Sequence, residues 1–121
     1  MLAACGGGQT VAGPALRLPV ARVRVSAGNG YTCGVTSAGA AYCWGGNGAG
    51  ELGDGTTTTR TSPVAVSGGL SFAAVSADNG YTCGVTPGGA AYCWGGNFFG
   101  ALGDGTTVDK TSPVAVAGGL T

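Results

Sequence analysis

Residues 31–47 read YTCGVTSAGAAYCWGGN, and residues 81–97 read YTCGVTPGGAAYCWGGN. The echo extends well past these two phrases. Sliding the chain by 50 positions lays Ser26–Ser71 over Ser76–Thr121 with 35 of 46 residues identical. Such a match is duplication rather than compositional bias. A repeat of about 50 residues carrying several short strands is the pattern of a β-propeller, in which one repeat builds one four-stranded blade.

Each unit offers four strand candidates. In the first they are Val20–Ala27, Tyr31–Thr36, Ala40–Gly45 and Pro63–Val66; in the second, Leu70–Ala77, Tyr81–Thr86, Ala90–Gly95 and Pro113–Val116. A long Gly/Thr-rich loop separates the third candidate from the fourth. Pro63 and Pro113 are placed at strand starts, where a missing N–H costs least. The expected fold is all-β: a repeat over 20–69, a second over 70–121, each a four-stranded antiparallel blade, preceded by a segment over 1–19.

Composition agrees with this class. Glycine supplies 27 of the 121 residues, and each would cost about 1 kcal/mol in a helix interior. Five positive and five negative side chains leave the chain near neutral, and histidine is absent. Neither the basic face that nucleic acid requires nor an acidic tail is present, so no nucleic-acid partner is expected. No apolar run approaches the roughly 20 residues of a transmembrane helix.

Hairpin geometry explains the repeated phrase. If Ser37, Ala38 and Gly39 form a three-residue loop closed by a left-handed glycine, Thr36 faces Ala40 and the register is set. Cys33 then lies opposite Cys43, with Tyr31, Val35 and Ala41 on the same face and Tyr42 and Trp44 on the other. The same arithmetic pairs Cys83 with Cys93. Directly opposed residues approach within the span of a disulfide. The pairs therefore read either as covalent staples formed in an oxidising compartment or as small buried thiols packing between sheets. A zinc site is disfavoured, since neither histidine nor CxxC spacing is available. Tyr42, Trp44, Tyr92 and Trp94 read as blade-packing residues, with a ligand-stacking platform as the alternative.

These residues together resemble the regulator of chromosome condensation repeat family in its bacterial, cysteine-bearing form. The likeness runs over about 20–121, from the strand at Val25–Gly28 through the cysteine hairpin to GELGDGT and SPVAV. Its Gly-x-Leu-Gly-x-Gly core stands as Gly50, Leu52, Gly53 and Gly55, and again as Gly100, Leu102, Gly103 and Gly105. Kelch repeats have a similar period but carry the Gly-Gly pair before a separated Tyr and Trp, an order that does not fit. The resemblance implies a seven-bladed propeller, of which two blades are read here. The expectation is a fragment of such a ring, with a small protein completing the ring by homo-oligomerisation as the alternative. Members of the family serve as exchange factors for a nuclear GTPase, as photoreceptors and as a secreted inhibitor of β-lactamase, which implies protein recognition by the ring face.

Residues 2–5 read LAAC, followed by GGGQT. This resembles a bacterial lipoprotein cleavage box with a glycine tether, in which Cys5 would carry the lipid anchor; otherwise Cys5 is a free thiol. Together with the hairpin cysteines it leads to an extracellular or cell-surface protein.

Chemistry is sparse. Without histidine no Ser/His or Cys/His pair exists, and Ser62 and Ser112 have no candidate base. Asp54 and Asp104 read as turn residues accepting N–H bonds from the following threonines rather than as calcium ligands. No catalytic residue, metal site or cofactor is expected. A glycosidase would need facing carboxylates that the pattern does not offer. Binding belongs where the repeats differ. Six of the eleven mismatches fall in the long loop: Gly48, Ala49, Glu51, Thr58, Thr59 and Arg60 become Phe98, Phe99, Ala101, Val108, Asp109 and Lys110. The candidate binding residues are therefore Phe98, Phe99, Glu51, Arg60, Asp109 and Lys110, on loops that need not stay alike for blades to stack. Phe98 and Phe99 are either an exposed anchor or a plug between blades. The expected function is a non-enzymatic module that binds a protein or a surface polymer; the competing reading is a fragment without activity of its own.

Overall fold

Each repeat becomes one sheet. The computed structural model describes residues 24–119. Its first sheet comprises β1 (Arg24–Ala27), β2 (Tyr31–Val35), β3 (Ala41–Gly45) and β4 (Arg60–Ala65); its second comprises β5 (Ala74–Ala77), β6 (Tyr81–Val85), β7 (Ala91–Gly95) and β8 (Lys110–Ala115). Both are antiparallel, and strand order in space follows order in the chain. The segment 1–19, the expected strand start at Val20 and the expected lipidation at Cys5 lie outside the described residues.

The central hairpins take the register that the turn dictates. Gly39 adopts φ +94°, Gly39 N donates to Thr36 O at 2.9 Å, and Thr36 N donates to Ala40 O at 2.9 Å. Tyr31 then faces Gly45, Cys33 faces Cys43 and Val35 faces Ala41, with the same pairing fifty residues later. Disulfides join Cys33 to Cys43 and Cys83 to Cys93. Gly45 makes this geometry possible, because a β-carbon there would lie 2.6 Å from Gly30 O and 2.7 Å from Tyr31 Cα.

Two strand boundaries differ from expectation. β4 begins at Arg60, so Pro63 is interior to the strand rather than at its start. The ladder passes from Val64 opposite Cys43 to Arg60 opposite Gly45, so three residues bulge past Trp44. Pro63 lies in that bulge on the outermost strand, where no neighbour requires its N–H; Pro113 repeats the arrangement in β8. β5 begins at Ala74 rather than Leu70. The backbone of the intervening segment turns to the other blade instead, Phe72 N donating to Gly39 O at 2.9 Å.

The sheets stack with unlike faces together. Tyr31, Cys33, Val35, Ala41 and Cys43 line one face of the first sheet and are buried together with Leu52 under Val75 and Ala77 of β5. The opposing face of the second sheet contributes Trp94 and Tyr92, with Phe72 between them and Val35. Duplicate residues thus experience different environments: Val35 is 2% exposed, whereas Val85, its twin, is 43% exposed. Burial of one such side chain contributes about 1.5–3 kcal/mol, so the seam holds the two blades together.

Candidate functional site

The β1–β2 turn and the β3–β4 loop share one end of the blade, as antiparallel alternation requires, and Gly46 N donates to Gly30 O at 2.8 Å to join them. The long loops at this end contain no regular structure, so their backbone groups need other partners. Asn47 supplies them in the first blade. Its side-chain amide donates to Thr56 O at 2.9 Å and Thr58 O at 3.0 Å, and its Oδ1 accepts from Leu52 N at 2.9 Å. Asn97 does the same with Thr106 O, Val108 O and Leu102 N, each at 3.0 Å. Both asparagines are buried, above the buried Leu52 and Leu102. Sequence reasoning passed over these asparagines, although each follows a Gly-Gly pair at the mouth of a loop in both repeats.

Asp54 and Asp104 close the same loops. Asp54 Oδ1 accepts from Thr56 N at 3.0 Å and Thr56 Oγ1 at 2.7 Å, while Arg60 Nε donates to its Oδ2 at 3.1 Å. Desolvation alone would raise the Asp54 pKa, but the bonds from Thr56, Asn47 and Arg60 outweigh it and hold the carboxyl below its ordinary value. Asp104 accepts from Thr106 N at 2.9 Å and from Lys110 Nζ at 2.8 Å. Lys110, followed by Thr106, pulls the Asp104 pKa far below the usual carboxylate range.

The six candidate binding residues separate into two groups. Arg60 and Lys110 are spent on Asp54 and Asp104. Glu51 Oε1 accepts from Ala49 N at 2.8 Å, and Asp109 Oδ1 accepts from Asn97 N at 2.8 Å. All four charged candidates therefore shape their own loops. Phe98 and Phe99, by contrast, are 79% and 88% exposed, and their rings meet edge to face at 4.8 Å. Val108, 62% exposed, stands on the same loop, its carbonyl tied to Asn97 beside Phe98. An apolar patch thus rests on a scaffold that its twin loop shares.

The first blade shows what the two phenylalanine positions meet once a further blade is in place. Gly48, the counterpart of Phe98, stays exposed. Ala49, the counterpart of Phe99, is half-buried, with its Cβ 3.7 Å from where a side chain on Gly96 would begin. Position 98 therefore belongs to the rim and position 99 to the seam.

The blade-packing candidates divide in the same way. Trp94 and Tyr92 are in the seam, whereas Tyr42 and Trp44 lie on the open face of the first sheet. A polar hub that sequence reasoning missed accompanies them. The Tyr31 hydroxyl donates to Tyr81 O and accepts from Thr82 Oγ1 at 3.0 Å and Asp78 N at 3.2 Å, all across the seam. Burial raises the Tyr31 pKa against the opposing effect of the bonds from Thr82 and Asp78. At the other end of the blades a cleft of about 330 Å³ opens between Thr36–Gly39 and Ser71–Ala73, and none of the predicted binding residues lines it.

The family described as "Regulator of chromosome condensation (RCC1) repeat" matches residues 38–85 and 88–120, and a second description of that repeat matches residues 23–51. No curated protein is significantly similar to the chain. Among solved structures, Prp20p from Saccharomyces cerevisiae, described with its binding to Gsp1p and histones, is 23% identical with a TM-score of 0.73, over 86% of this chain and 28% of Prp20p. A structure of Kap60 bound to yeast RCC1 (Prp20) gives 24% identity and a TM-score of 0.73, over 86% of this chain and 27% of that one. Human WBSCR16 gives 20% identity and a TM-score of 0.70, over 84% of this chain and 29% of that one. Likeness at this identity establishes the fold, and the chain spans less than a third of each of these proteins.

Proposed function

Because the chain belongs to the regulator of chromosome condensation (RCC1) repeat family, we propose that it is a non-catalytic, protein-binding part of a β-propeller that meets its partner through the β7–β8 loop. One observation carries the reading. On a scaffold held by Asn97 and Asp104 just as its twin is held by Asn47 and Asp54, the second repeat replaces Gly48 and Thr58 with Phe98 and Val108 and exposes both side chains, with Phe99 beside Phe98 at the seam position. Exposed aromatics on a rigid frame are the usual anchors of protein interfaces. A protein as partner is supported by the yeast relative, which is described with Gsp1p, histones and Kap60. An extracellular or cell-surface setting is supported by the two disulfides and by the LAAC stretch that ends at Cys5.

The test is quantitative capture from extracellular fractions on the immobilised chain and on a double variant, Phe98→Gly and Val108→Thr, which restores the rim residues of the first repeat. Bound partners should fall at least tenfold, and binding to the unaltered chain should persist from low to high salt, because the neighbouring charges are internally paired. Equal capture by the two chains defeats the reading.

A further inference from the structure

Independently of the β7–β8 loop and its partner, we propose that Asn29 and Asn79 are self-modifying sites. They convert without an enzyme to aspartate or isoaspartate and so turn a neutral contact across the seam into a repulsive one. Asparagine is among the chemically labile side chains, and three Asn-Gly pairs occur in the chain: Asn29-Gly30, Asn47-Gly48 and Asn79-Gly80. At such a pair the glycine nitrogen gives up its proton and bonds to the asparagine Cγ, closing a succinimide ring, while the amide nitrogen leaves as ammonia. Water then opens the ring at either carbonyl, giving aspartate or isoaspartate. Glycine obstructs the closure least, since no β-carbon stands beside the attacking nitrogen.

The fold separates the three pairs. Asn47 is buried, and its amide is held by Thr56 O, Thr58 O and Leu52 N, so its Cγ reaches Gly48 N only when the loop opens. Its twin Asn97 is followed by Phe98, whose side chain hinders ring closure. Asn29 and Asn79, on the β1–β2 and β5–β6 turns, are both exposed. Among the described residues each side chain has one hydrogen bond, the one between them, Asn29 Nδ2 donating to Asn79 Oδ1 at 3.0 Å. The attacking groups are equally open: among the described residues neither Gly30 N nor Gly80 N donates a hydrogen bond, and a β-carbon on either glycine would meet nothing within 4 Å. Asn29 keeps its exposure with a blade stacked on one side, and Asn79 with a blade stacked on the other.

The place of these turns gives the conversion its effect. Asn29 N donates to Asp78 O across the seam at 3.0 Å, and Gly30 O and Gly80 O accept from Gly46 N and Gly96 N at 2.8 Å at the mouths of the long loops. Isoaspartate inserts a methylene into the main chain between these contacts. After conversion at one position, the remaining amide still donates to the new carboxylate. Conversion at the second removes that last donor and sets two carboxylates against each other beside Asp78, while Arg60 and Lys110 stay committed to Asp54 and Asp104.

Peptide mapping of the oxidised chain held at mildly alkaline pH tests this. Conversion at Asn29 and Asn79 should outrun that at Asn47 by roughly tenfold or more. In the reduced, denatured chain the three pairs should convert at like rates, since only the folded loop restrains Asn47. The double variant Asn29→Asp with Asn79→Asp should lower Tm by roughly 2–4 °C at low salt and recover most of that loss at high salt, whereas either single variant should melt with the parent. A folded chain that converts all three pairs at one rate, or keeps Asn29 and Asn79 intact as long as Asn47, overturns the proposal, as does a double variant that melts with the parent at low salt.

Discussion

Gly53 of the first blade lies directly against the indole of Trp94 in the second: a methyl group on Gly53 would sit 2.6 Å from Nε1 and 2.7 Å from Cδ1. The two residues interlock across the seam, and the lack of a side chain at one is what admits the bulk of the other. Gly103, the twin of Gly53, meets only Val116 Cγ1 at 3.1 Å.

Gly53→Ala should therefore cost more than Gly103→Ala. Both positions hold positive φ, +69° and +71°, for which an alanine pays roughly 1–2 kcal/mol. Only Gly53→Ala adds a clash with a buried ring, a further ~1–3 kcal/mol. Urea unfolding followed by tryptophan fluorescence gives the difference between the twins, and equal losses would mean that Trp94 does not press on Gly53.

Tyr31→Phe should destabilise by about 1 kcal/mol, because it removes the hydroxyl's bonds across the seam to Tyr81 O, Thr82 Oγ1 and Asp78 N, while Thr82 Oγ1 keeps Glu51 O and Asp78 N keeps Tyr81 O as partners. Tyr81→Phe should cost less in the monomer, since the Tyr81 hydroxyl has no hydrogen-bond partner among the described residues. The same site makes an alkaline prediction. The folded pKa of Tyr31 lies above its unfolded value, so its contribution is intact below about pH 10 and is lost as pH rises beyond that. Thermal melts from pH 8 to 11 should decline more shallowly for Tyr31→Phe than for the parent.

Asn47→Ala should cost about 1–3 kcal/mol, because it leaves Leu52 N without a partner in a buried setting and takes the amide donor from the half-buried carbonyls of Thr56 and Thr58. Hydrogen exchange at the Leu52 amide should speed up. Asn29→Ala, which removes an exposed contact with Asn79, should stay within about 0.5 kcal/mol.

The loop carboxylates titrate low, and their sign is opposite to that of Tyr31. Asp54 and Asp104 have folded pKa values below their unfolded ones, so the stability they confer is present above the ordinary carboxylate range and fades as pH falls through the folded values. Lys110→Met should raise the Asp104 pKa more than Arg60→Met raises that of Asp54, since Lys110 is the largest influence on Asp104 whereas Thr56 outranks Arg60 at Asp54. Carboxyl carbon chemical shifts measured against pH would reveal the order, and a larger rise at Asp54 would reverse it.

Much of the fold was legible because a duplicated hairpin carries its own register: one glycine turn at Gly39 places Cys33 opposite Cys43 and sends Trp44 to the other face. The start of β4 was less legible, because Pro63 suggests a boundary in one dimension, and only the bulge opposite Trp44 shows it tolerated inside an edge strand. For the candidate site, comparing the repeats located Phe98 and Phe99, since substitutions on a loop leave the stacking intact. The commitments of Arg60, Lys110, Glu51 and Asp109 were hidden, because a charge that closes its own loop and a charge that waits for a partner read alike in a string of letters. Tyr31 was placed on the right face, but a hydroxyl that bridges two blades needs the second blade for its meaning.

The proline inside each outermost strand has a consequence for how such a chain behaves in a crowd. A sheet rich in valine, threonine and tyrosine that ends in a bare rim of amides is a template for fibre growth, and Pro63 and Pro113 interrupt that rim where a foreign strand would have to zip along it. Growth sideways into amyloid is thereby obstructed along the outermost strand of both blades.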